Sequence, residues 1–299
     1  MRSIFVIPAI LLMALLSIPS GVIAASCESL ASTALPHATI TAAETVPAAA
    51  FKLPSSAPGG RGKRFDDLPA FCRVTATLKP TSDSDIKIEV WLQASGWNGK
   101  FQATGNGCWT GVINYGAMGN VIRSGSATAG TNGGHDSAAG CGAETASFAL
   151  GHPEKLKDFA DRAFHEMTLD AKRLISAYYG NGPKLSFLDE CGGGSREALT
   201  EMQRFPEDYD AVAASGLDGH STHHGLGQLW VWQATHKDEA SYIPPAKYPA
   251  IHQAALDACD AQDGVKDGVI SDPMRCKFDP VVLACKGADA AKLPHCAAG

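Results

Sequence analysis

Hydrophobic and polar positions follow two different periods along the chain. Residues 86–92 alternate strictly between apolar and polar, which predicts a half-exposed β-strand. Between Leu156 and Tyr178, apolar residues recur at spacings of three and four until Gly180, which predicts an amphipathic helix. The short apolar run 211–214 is typical of a buried parallel strand. Strands that alternate with helices in this way predict an α/β protein with a parallel sheet.

The pattern changes after Ser215. From residue 216 to 299 the chain is rich in Gly, His, Trp and Pro and shows no strong strand pattern. We therefore expect a core domain over residues 26–215 and an inserted or appended second region over residues 216–299, which we call the lid.

Residues 1–25 have the features of a secretory signal peptide. Arg2 precedes an apolar run over residues 4–16, and small residues end the segment at Ala24 and Ala25. The run is shorter than the roughly 20 residues that a membrane-spanning helix needs. No later stretch is apolar enough to span a bilayer, so we expect a secreted or periplasmic protein with no membrane partner.

Charge and cysteine content narrow the class of protein further. The net charge is −6 and local clusters of Lys and Arg are absent, so nothing points to nucleic acid as a partner. Nine cysteines fit an oxidising compartment, where disulfides persist. Because their number is odd, at least one cysteine is expected to have no partner within the chain.

A glycine-rich turn lies between a predicted strand and a predicted helix. The strand covers residues 185–188, the turn is Cys191-Gly-Gly-Gly-Ser-Arg196, and the helix continues to Arg204. This is the layout of a nucleophile elbow, in which a serine sits on a strained turn within the pattern GxSxG. Gly192 stands at the serine position, so the sequence predicts an elbow without its nucleophile.

Ser195 stands three residues after the elbow position. Because it falls in the first turn of the predicted helix, we expect it to act as a hydrogen-bonding residue at the helix start. The alternative is a displaced nucleophile. That alternative is disfavoured because the strain and the oxyanion geometry belong to the elbow position.

An aspartate-rich segment lies in the lid. Asp260, Asp263 and Asp267 follow one another at spacings of three and four, with glycines at 264 and 268 that allow sharp turns. Hard cations such as Ca²⁺ take six to eight oxygen ligands of this kind. The segment lacks the closing glutamate of an EF-hand. An ordinary polar turn and a cation site both remain open from the pattern alone.

Several of these segments together resemble the tannase and feruloyl esterase family. The resemblance begins at Cys191-Gly-Gly-Gly-Ser-Arg196, where the family carries Cys-Ser-x-Gly-Gly-Arg, and continues through Gln203-Arg-Phe-Pro206. It extends over residues 228–230, 243–248 and 260–278, and so covers nearly all of the chain after the leader.

The resemblance implies an α/β-hydrolase with a lid that cleaves esters of aromatic acids, such as gallic or hydroxycinnamic acid, through a Ser-His-Asp triad. Gly192 takes the position of the family's nucleophile. Gly193 is expected to offer one oxyanion amide, and Gly107, in the glycine turn 105–107, is expected to offer the other. The expected partner is therefore a small-molecule aromatic ester.

The resemblance also implies a structural Ca²⁺ ion in the lid. Its ligands would be the side chains of Asp260, Asp263 and Asp267 and the backbone carbonyl groups of Val265 and Val269.

The resemblance also bears on the disulfides. The predicted pairs are Cys27 with Cys72, Cys259 with Cys276, and Cys285 with Cys296. The family joins the cysteine beside the nucleophile to one beside the catalytic histidine, so Cys191 is expected to be left alone here. Cys108 and Cys141 either pair with each other or are free buried thiols.

Two functional hypotheses follow. In the family the catalytic Asp and His come after the lid, whereas this sequence stops at Gly299, so the last part of the sheet is expected to be missing. The first hypothesis is a secreted carboxylic ester hydrolase. The alternative is a catalytically inactive fragment or pseudoenzyme, a Ca²⁺-containing secreted domain that binds aromatic ligands.

Overall fold

The computed structural model describes residues 25–54, 65–137, 146–217 and 219–284. The predicted leader lies almost wholly outside these ranges. The chain separates into two compact units, Met1–Leu217 and Asp218–Gly299. This division falls two residues after the predicted boundary at Ser215.

The first unit is built on one mixed sheet. Among the described residues its strands are β1 (Ala38–Val46), β2 (Phe71–Leu78), β3 (Ile86–Gln93), β4 (Lys100–Thr104), β5 (Ala127–Thr131), β6 (Leu185–Cys191) and β7 (Ala211–Ser215). Their order across the sheet is β1-β2-β3-β5-β4-β6-β7. The pairs among β1, β2, β3 and β5 are antiparallel, whereas β5, β4, β6 and β7 run parallel. The predicted α/β fold is confirmed, with the parallel strands confined to the half that carries the elbow.

The prediction of a half-exposed β3 is wrong, because both faces of this strand are covered. Glu89, a polar position of the alternating pattern, is 4% exposed. Its carboxylate accepts hydrogen bonds from the Arg73 guanidinium at 2.6 and 2.9 Å, from Trp91 Nε1 at 3.0 Å and from the Tyr115 hydroxyl at 2.7 Å. An ion pair with this many donors lets a charged residue occupy a buried strand position.

The described residues of the first unit form four α-helices, of which the first, third and fourth pack against the sheet. They are α1 (Tyr115–Arg123), α2 (Pro153–Lys157), α3 (Ala163–Tyr179) and α4 (Gly193–Arg204). The predicted helix over residues 156–178 is interrupted by a π-helical turn at Asp158–Arg162. It ends as predicted, since Gly180 adopts the left-handed conformation (φ 78°) that helix ends often require.

One of the two hydrophobic clusters of the first unit lies between α3 and the sheet. Phe164, Met167 and Leu174 on α3 are buried in the same cluster as Phe101 of β4 and Leu188 of β6. These contacts fix β4 and β6 side by side. The segments that follow the two strands therefore start from the same edge of the sheet.

The second unit, considered by itself, is helical in its described part. It contains α5 (Ser221–Thr235) and α6 (Tyr248–Cys259), followed by short 3-10 turns. The predicted disulfide between Cys259 and Cys276 is confirmed, as is Cys27–Cys72 in the first unit. Within the part of the chain that the structure describes, no helix is both long and apolar enough to cross a membrane.

Candidate active site

The turn after β6 has the geometry of a nucleophile elbow. Strand β6 ends at Cys191, Gly192 follows with φ 65° and ψ −118°, and α4 begins at Gly193. The Gly192 amide donates to the Ser215 carbonyl of β7 at 3.0 Å, which holds the turn against the sheet. This backbone conformation strains any residue other than glycine. The structure thus places Gly192 at the strained position that a nucleophilic serine occupies in an elbow.

The three consecutive glycines of the turn have different surroundings. A Cβ atom added to Gly193 would lie 2.6 Å from Cys108 N, and one added to Gly194 would collide with Glu190 Oε2. A Cβ atom on Gly192 would have no other atom within 4 Å. Packing therefore requires glycine at 193 and disfavours a side chain at 194, but it leaves open space at the elbow position.

Residues Gly105–Cys108, which we call the oxyanion loop, follow β4 and pack directly on the elbow. The contact is between backbones, because the Cβ position of Gly193 faces both Cys108 N and Asn106 O. Gly193 is the first residue of α4, and N–H groups at a helix N-terminus have no partner within the helix. The two predicted oxyanion residues, Gly193 and Gly107, therefore lie on segments that touch. The N–H groups at the start of α4 and its helix dipole favour negative charge there.

Ser195 is a hydrogen-bonding residue in the first turn of α4, as expected, but its partners are strand carbonyls. Its side chain is buried, and its hydroxyl donates to the Glu190 carbonyl at 3.0 Å and to the Ser215 carbonyl. The helix N-cap is Gly192, which makes no side-chain capping bond, so Ser195 does not cap the helix. Ser195 instead joins β6 to β7 beneath the turn. A hydroxyl that is buried and occupied in this way is not placed to attack a substrate.

Two glutamates that sequence reasoning did not single out lie beneath the oxyanion loop. Glu190 Oε1 accepts a hydrogen bond from Gly105 N at 2.6 Å, and Glu197 Oε2 accepts one from Asn106 N at 3.0 Å. Burial raises the pKa of each carboxyl to about 7, although the loop amides favour the ionised form of both and Arg196 favours that of Glu197. No sequence signal marks these residues, because their partners are backbone amides about 90 positions away.

An aromatic surface continues from the oxyanion loop. Trp109 directly follows Cys108 and is 47% exposed. Its ring lies nearly parallel to that of Phe159, with centroids 5.5 Å apart, and the Arg196 guanidinium lies 4.5 Å from the Phe159 centroid. The His135 ring contacts the Trp109 carbonyl at 2.9 Å. Since Phe159 belongs to the π-helical turn, the irregularity in the predicted helix places an aromatic ring near the elbow.

The remaining cysteines are only partly described. Cys191 is exposed and is a free thiol within the described residues. Cys108 is disulfide-bonded, so it is not a free buried thiol. Cys141 and the predicted pair Cys285–Cys296 lie outside the described residues.

The aspartate segment of the second unit forms a tightly bonded turn. Asp260 Oδ1 accepts from the amides of Gly268 and Val269 at 3.0 and 3.1 Å. Asp263 accepts from Val265 N at 2.9 Å and from the Ser271 hydroxyl, and these bonds lower the pKa of the Asp263 carboxyl. Asp267 Oδ1 accepts from Val269 N at 3.0 Å. The oxygen-only donor set suits a hard cation, but several of its oxygens bind the loop's own amides.

A different group of ligating side chains has the spacing of a metal site. Among the described residues, one group of side chains has its ligand atoms all within 4.8 Å of one another: His165, Glu201 and Asp208 in the first unit. The three lid aspartates do not form such a group. His165 Nδ1 lies 2.7 Å from Asp208 Oδ2. Burial and the neighbouring Asp208 carboxylate raise the pKa of Glu201. We interpret this group as a carboxylic acid beside a carboxylate, which requires no metal.

The sheet order and the strand–Gly192–helix turn define an α/β-hydrolase-type protein, and comparisons with known proteins specify the family. The family model described as tannase and feruloyl esterase matches residues 72–298. The chain is 41% identical over 265 residues to an uncharacterised esterase of Xanthomonas campestris and 35% identical over 219 residues to feruloyl esterase B of Aspergillus niger. The crystal structure of feruloyl esterase B from Aspergillus oryzae matches with a TM-score of 0.74 at 28% identity. The chain belongs to the tannase and feruloyl esterase family.

These matches cover most of this chain but about half of each relative. The alignments span 89% and 72% of this chain, and 44% and 40% of the Xanthomonas and Aspergillus niger proteins. The structural match spans 91% of this chain and 53% of the Aspergillus oryzae chain.

The buried Glu197 carboxyl predicts a stability that falls as pH rises. The ordinary pKa of a glutamate is 4.5, and burial raises that of Glu197 to about 7. The folded state therefore keeps a proton that the unfolded state has lost, so this contribution is complete below pH 4.5 and is lost as pH rises through about 7. We expect Glu197→Gln to reduce the fall in the free energy of unfolding between pH 5 and pH 8, by at most roughly 3 kcal/mol.

Denaturant unfolding of both proteins at pH 5, 6, 7 and 8 measures this slope. Glu207→Gln, at an exposed position, is the matched control and should reproduce the parent curve. An unchanged slope in Glu197→Gln would show that Glu197 titrates normally in the folded protein.

Proposed function

We propose that the site binds esters of aromatic acids, such as gallic or hydroxycinnamic acid, and that this chain does not cleave them because position 192 has no hydroxyl. The observation that carries the proposal is the elbow itself. Gly192 has the backbone conformation of the nucleophile position and open space where a side chain would project. The names of the relatives, which are esterases and feruloyl esterases, support the same reaction class.

The chemistry of the class assigns a role to each part of the site. In a serine esterase the hydroxyl attacks the ester carbonyl, a histidine accepts the hydroxyl proton and later donates it to the leaving alcohol, and a carboxylate orients the histidine. Backbone amides stabilise the negative oxygen of the tetrahedral intermediate. Here the amides of Gly193 and Gly107 would stabilise that oxygen. The acyl–enzyme bond cannot form at Gly192, and the Ser195 hydroxyl is occupied by two carbonyl groups.

Trp109 supports an aromatic acyl group as the ligand. It combines 47% exposure with a position next to Cys108, whose amide contacts the elbow. A second ring stacked on an indole gains roughly 0.5–1.5 kcal/mol beyond the area that it buries. A planar gallate or hydroxycinnamate ring is a suitable partner for this surface.

Restoring the hydroxyl tests the proposal. We expect the parent chain to leave p-nitrophenyl ferulate intact and the Gly192→Ser variant to become acylated by it. This ester suits the test because p-nitrophenolate leaves without a general acid, so the acylation step depends less on the rest of a triad. Intact-protein mass spectrometry should detect one feruloyl group per chain, and peptide mapping should place it at position 192.

The controls separate the possible nucleophiles. Gly192→Ala carries the same backbone strain, roughly 1–3 kcal/mol, without a hydroxyl and should remain unmodified. Hydrolysis by the parent chain that disappears in Ser195→Ala would make Ser195 the nucleophile and overturn the proposal. Absence of acylation in a folded Gly192→Ser protein would show that the elbow is not competent for ester attack.

We further propose export from the cytoplasm. The leader features at residues 2–25 support it, as do the disulfides Cys27–Cys72 and Cys259–Cys276, which persist in oxidising compartments. The N-terminal sequence of the exported protein should begin at or near Ser26. An uncleaved N-terminus on protein that stays in the cytoplasm would contradict export.

We also propose a structural Ca²⁺ ion at Asp260, Asp263 and Asp267, with the carbonyl groups of Val265 and Val269 completing an all-oxygen set. The disulfide Cys259–Cys276 closes the same loop. This supports a structural role for the segment, in which the ion and the disulfide together hold the loop. Binding would require the carboxylates to exchange amide hydrogen bonds for the ion.

Melting temperatures in Ca²⁺ and in EDTA test this proposal. We expect Ca²⁺ to raise the melting temperature of the parent chain, because a ligand that binds only the folded state stabilises it. Asp260→Asn should lose this response, whereas Asp257→Asn, on α6 outside the proposed ligand set, should keep it. Equal melting temperatures with and without Ca²⁺ for the parent chain would identify the segment as an ordinary polar turn.

A further inference from the structure

The oxyanion loop is held from below by two carboxylates on different elements. Glu190 belongs to β6 and Glu197 to α4, yet they bind the N–H groups of adjacent loop residues, Gly105 at 2.6 Å and Asn106 at 3.0 Å. The fit is close. A Cβ atom on Gly105 would collide with Glu197 Oε2 and would lie 3.1 Å from Glu190 Cδ.

We propose that Glu190 and Glu197 are positioning residues that fix the oxyanion loop against the elbow. Their two hydrogen bonds set the peptide planes at 105 and 106, which lead directly to Gly107. Gly107 is then anchored on its other side, because its carbonyl accepts from Thr110 N at 3.0 Å and from Thr110 Oγ1 at 2.7 Å. We call the two glutamate hydrogen bonds the clamp. The role of the Gly107 amide rests on the proposed function, whereas the clamp itself does not.

Carboxylates suit this task better than neutral acceptors. A hydrogen bond from a backbone amide to an ionised carboxylate is shorter and about twice as strong as one to a neutral acceptor. Both carboxylates also lie at the N-terminal end of α4, where the helix dipole stabilises negative charge. These two effects favour the ionised state against the burial that opposes it.

Protonation should weaken the clamp, so the charges around it matter. Glu190 faces Glu197 and its neighbour Asp189, whose charges raise its pKa further. Glu197 faces Arg196, with Nη2 3.4 Å from its Oε1. Burial brings both carboxyls to a pKa of about 7, and the loop bonds should therefore strengthen as pH rises from 6 to 8.

Amide NMR of the ¹⁵N-labelled full chain tests the clamp directly. We expect the amide protons of Gly105 and Asn106 to move downfield with a midpoint near pH 7, since a charged acceptor deshields its donor. Glu190→Gln should abolish the titration of Gly105 alone, and Glu197→Gln that of Asn106 alone. The exposed control Glu207→Gln should change neither. A role limited to general stability would not produce this pairwise pattern.

Hydrogen exchange provides the second measurement. Removing the acceptor in Glu190→Met or Glu197→Met should raise the exchange rate of the matching amide about tenfold, while the Gln variants keep most of the protection. If the Met variants do not fold, the pH titrations of the Gln variants decide the question. Amide protons that neither titrate nor respond to the paired variants would overturn the proposal.

The chemical consequence is measured separately. In the Gly192→Ser background we expect the Met variants to be acylated by p-nitrophenyl ferulate about tenfold more slowly than the Gln variants. If the NMR pattern is found but no Gly192→Ser protein is acylated, the clamp stands and the proposed function fails. If acylation occurs at one rate in all variants, the clamp does not position the oxyanion amide.

Discussion

The candidate site depends on one contact between two backbones. The Cβ position of Gly193, at the start of α4, faces the Cys108 amide and the Asn106 carbonyl of the oxyanion loop at 2.6 and 2.9 Å. Only glycine permits so close an approach. Because β4 and β6 are adjacent parallel strands, the loop after one and the elbow after the other meet at the same edge of the sheet. The contact therefore needs two things: β4 and β6 side by side in the sheet, and no side chain at residue 193.

The three consecutive glycines of the turn, residues 192–194, are subject to three different structural constraints. Gly193 is required by the loop backbone that packs on it, whereas at Gly194 the Glu190 side chain beneath only disfavours a larger residue. Gly192 is required by neither, since its surroundings are open and only its positive φ favours glycine. The chain thus has the strained turn and the packed loop of a nucleophile elbow, and it has glycine where the elbow pattern places a serine.

The sequence predicted those parts of the structure that depend on local pattern. The strand–turn–helix around Gly192, the helix end at Gly180 and the confirmed disulfides all follow from periodicity, glycine placement or family resemblance. Tertiary contacts account for what was missed. Glu89 looked solvent-exposed because alternation cannot reveal an Arg73 partner on the neighbouring strand. Glu190 and Glu197 were missed because backbone amides of any sequence can serve as their partners. The structural role of Ser195 was missed because its partner, the Ser215 carbonyl of β7, is brought near only by the folded sheet.

A crystal structure of the Gly192→Ser variant would show whether the elbow is complete apart from a side chain at residue 192. We expect residue 192 to keep φ near 65° and ψ near −118°, the Gly193–Cys108 contact to stay unchanged, and the new side chain to enter open space. If residue 192 relaxes to negative φ, or if the oxyanion loop moves away from α4, the elbow is not complete.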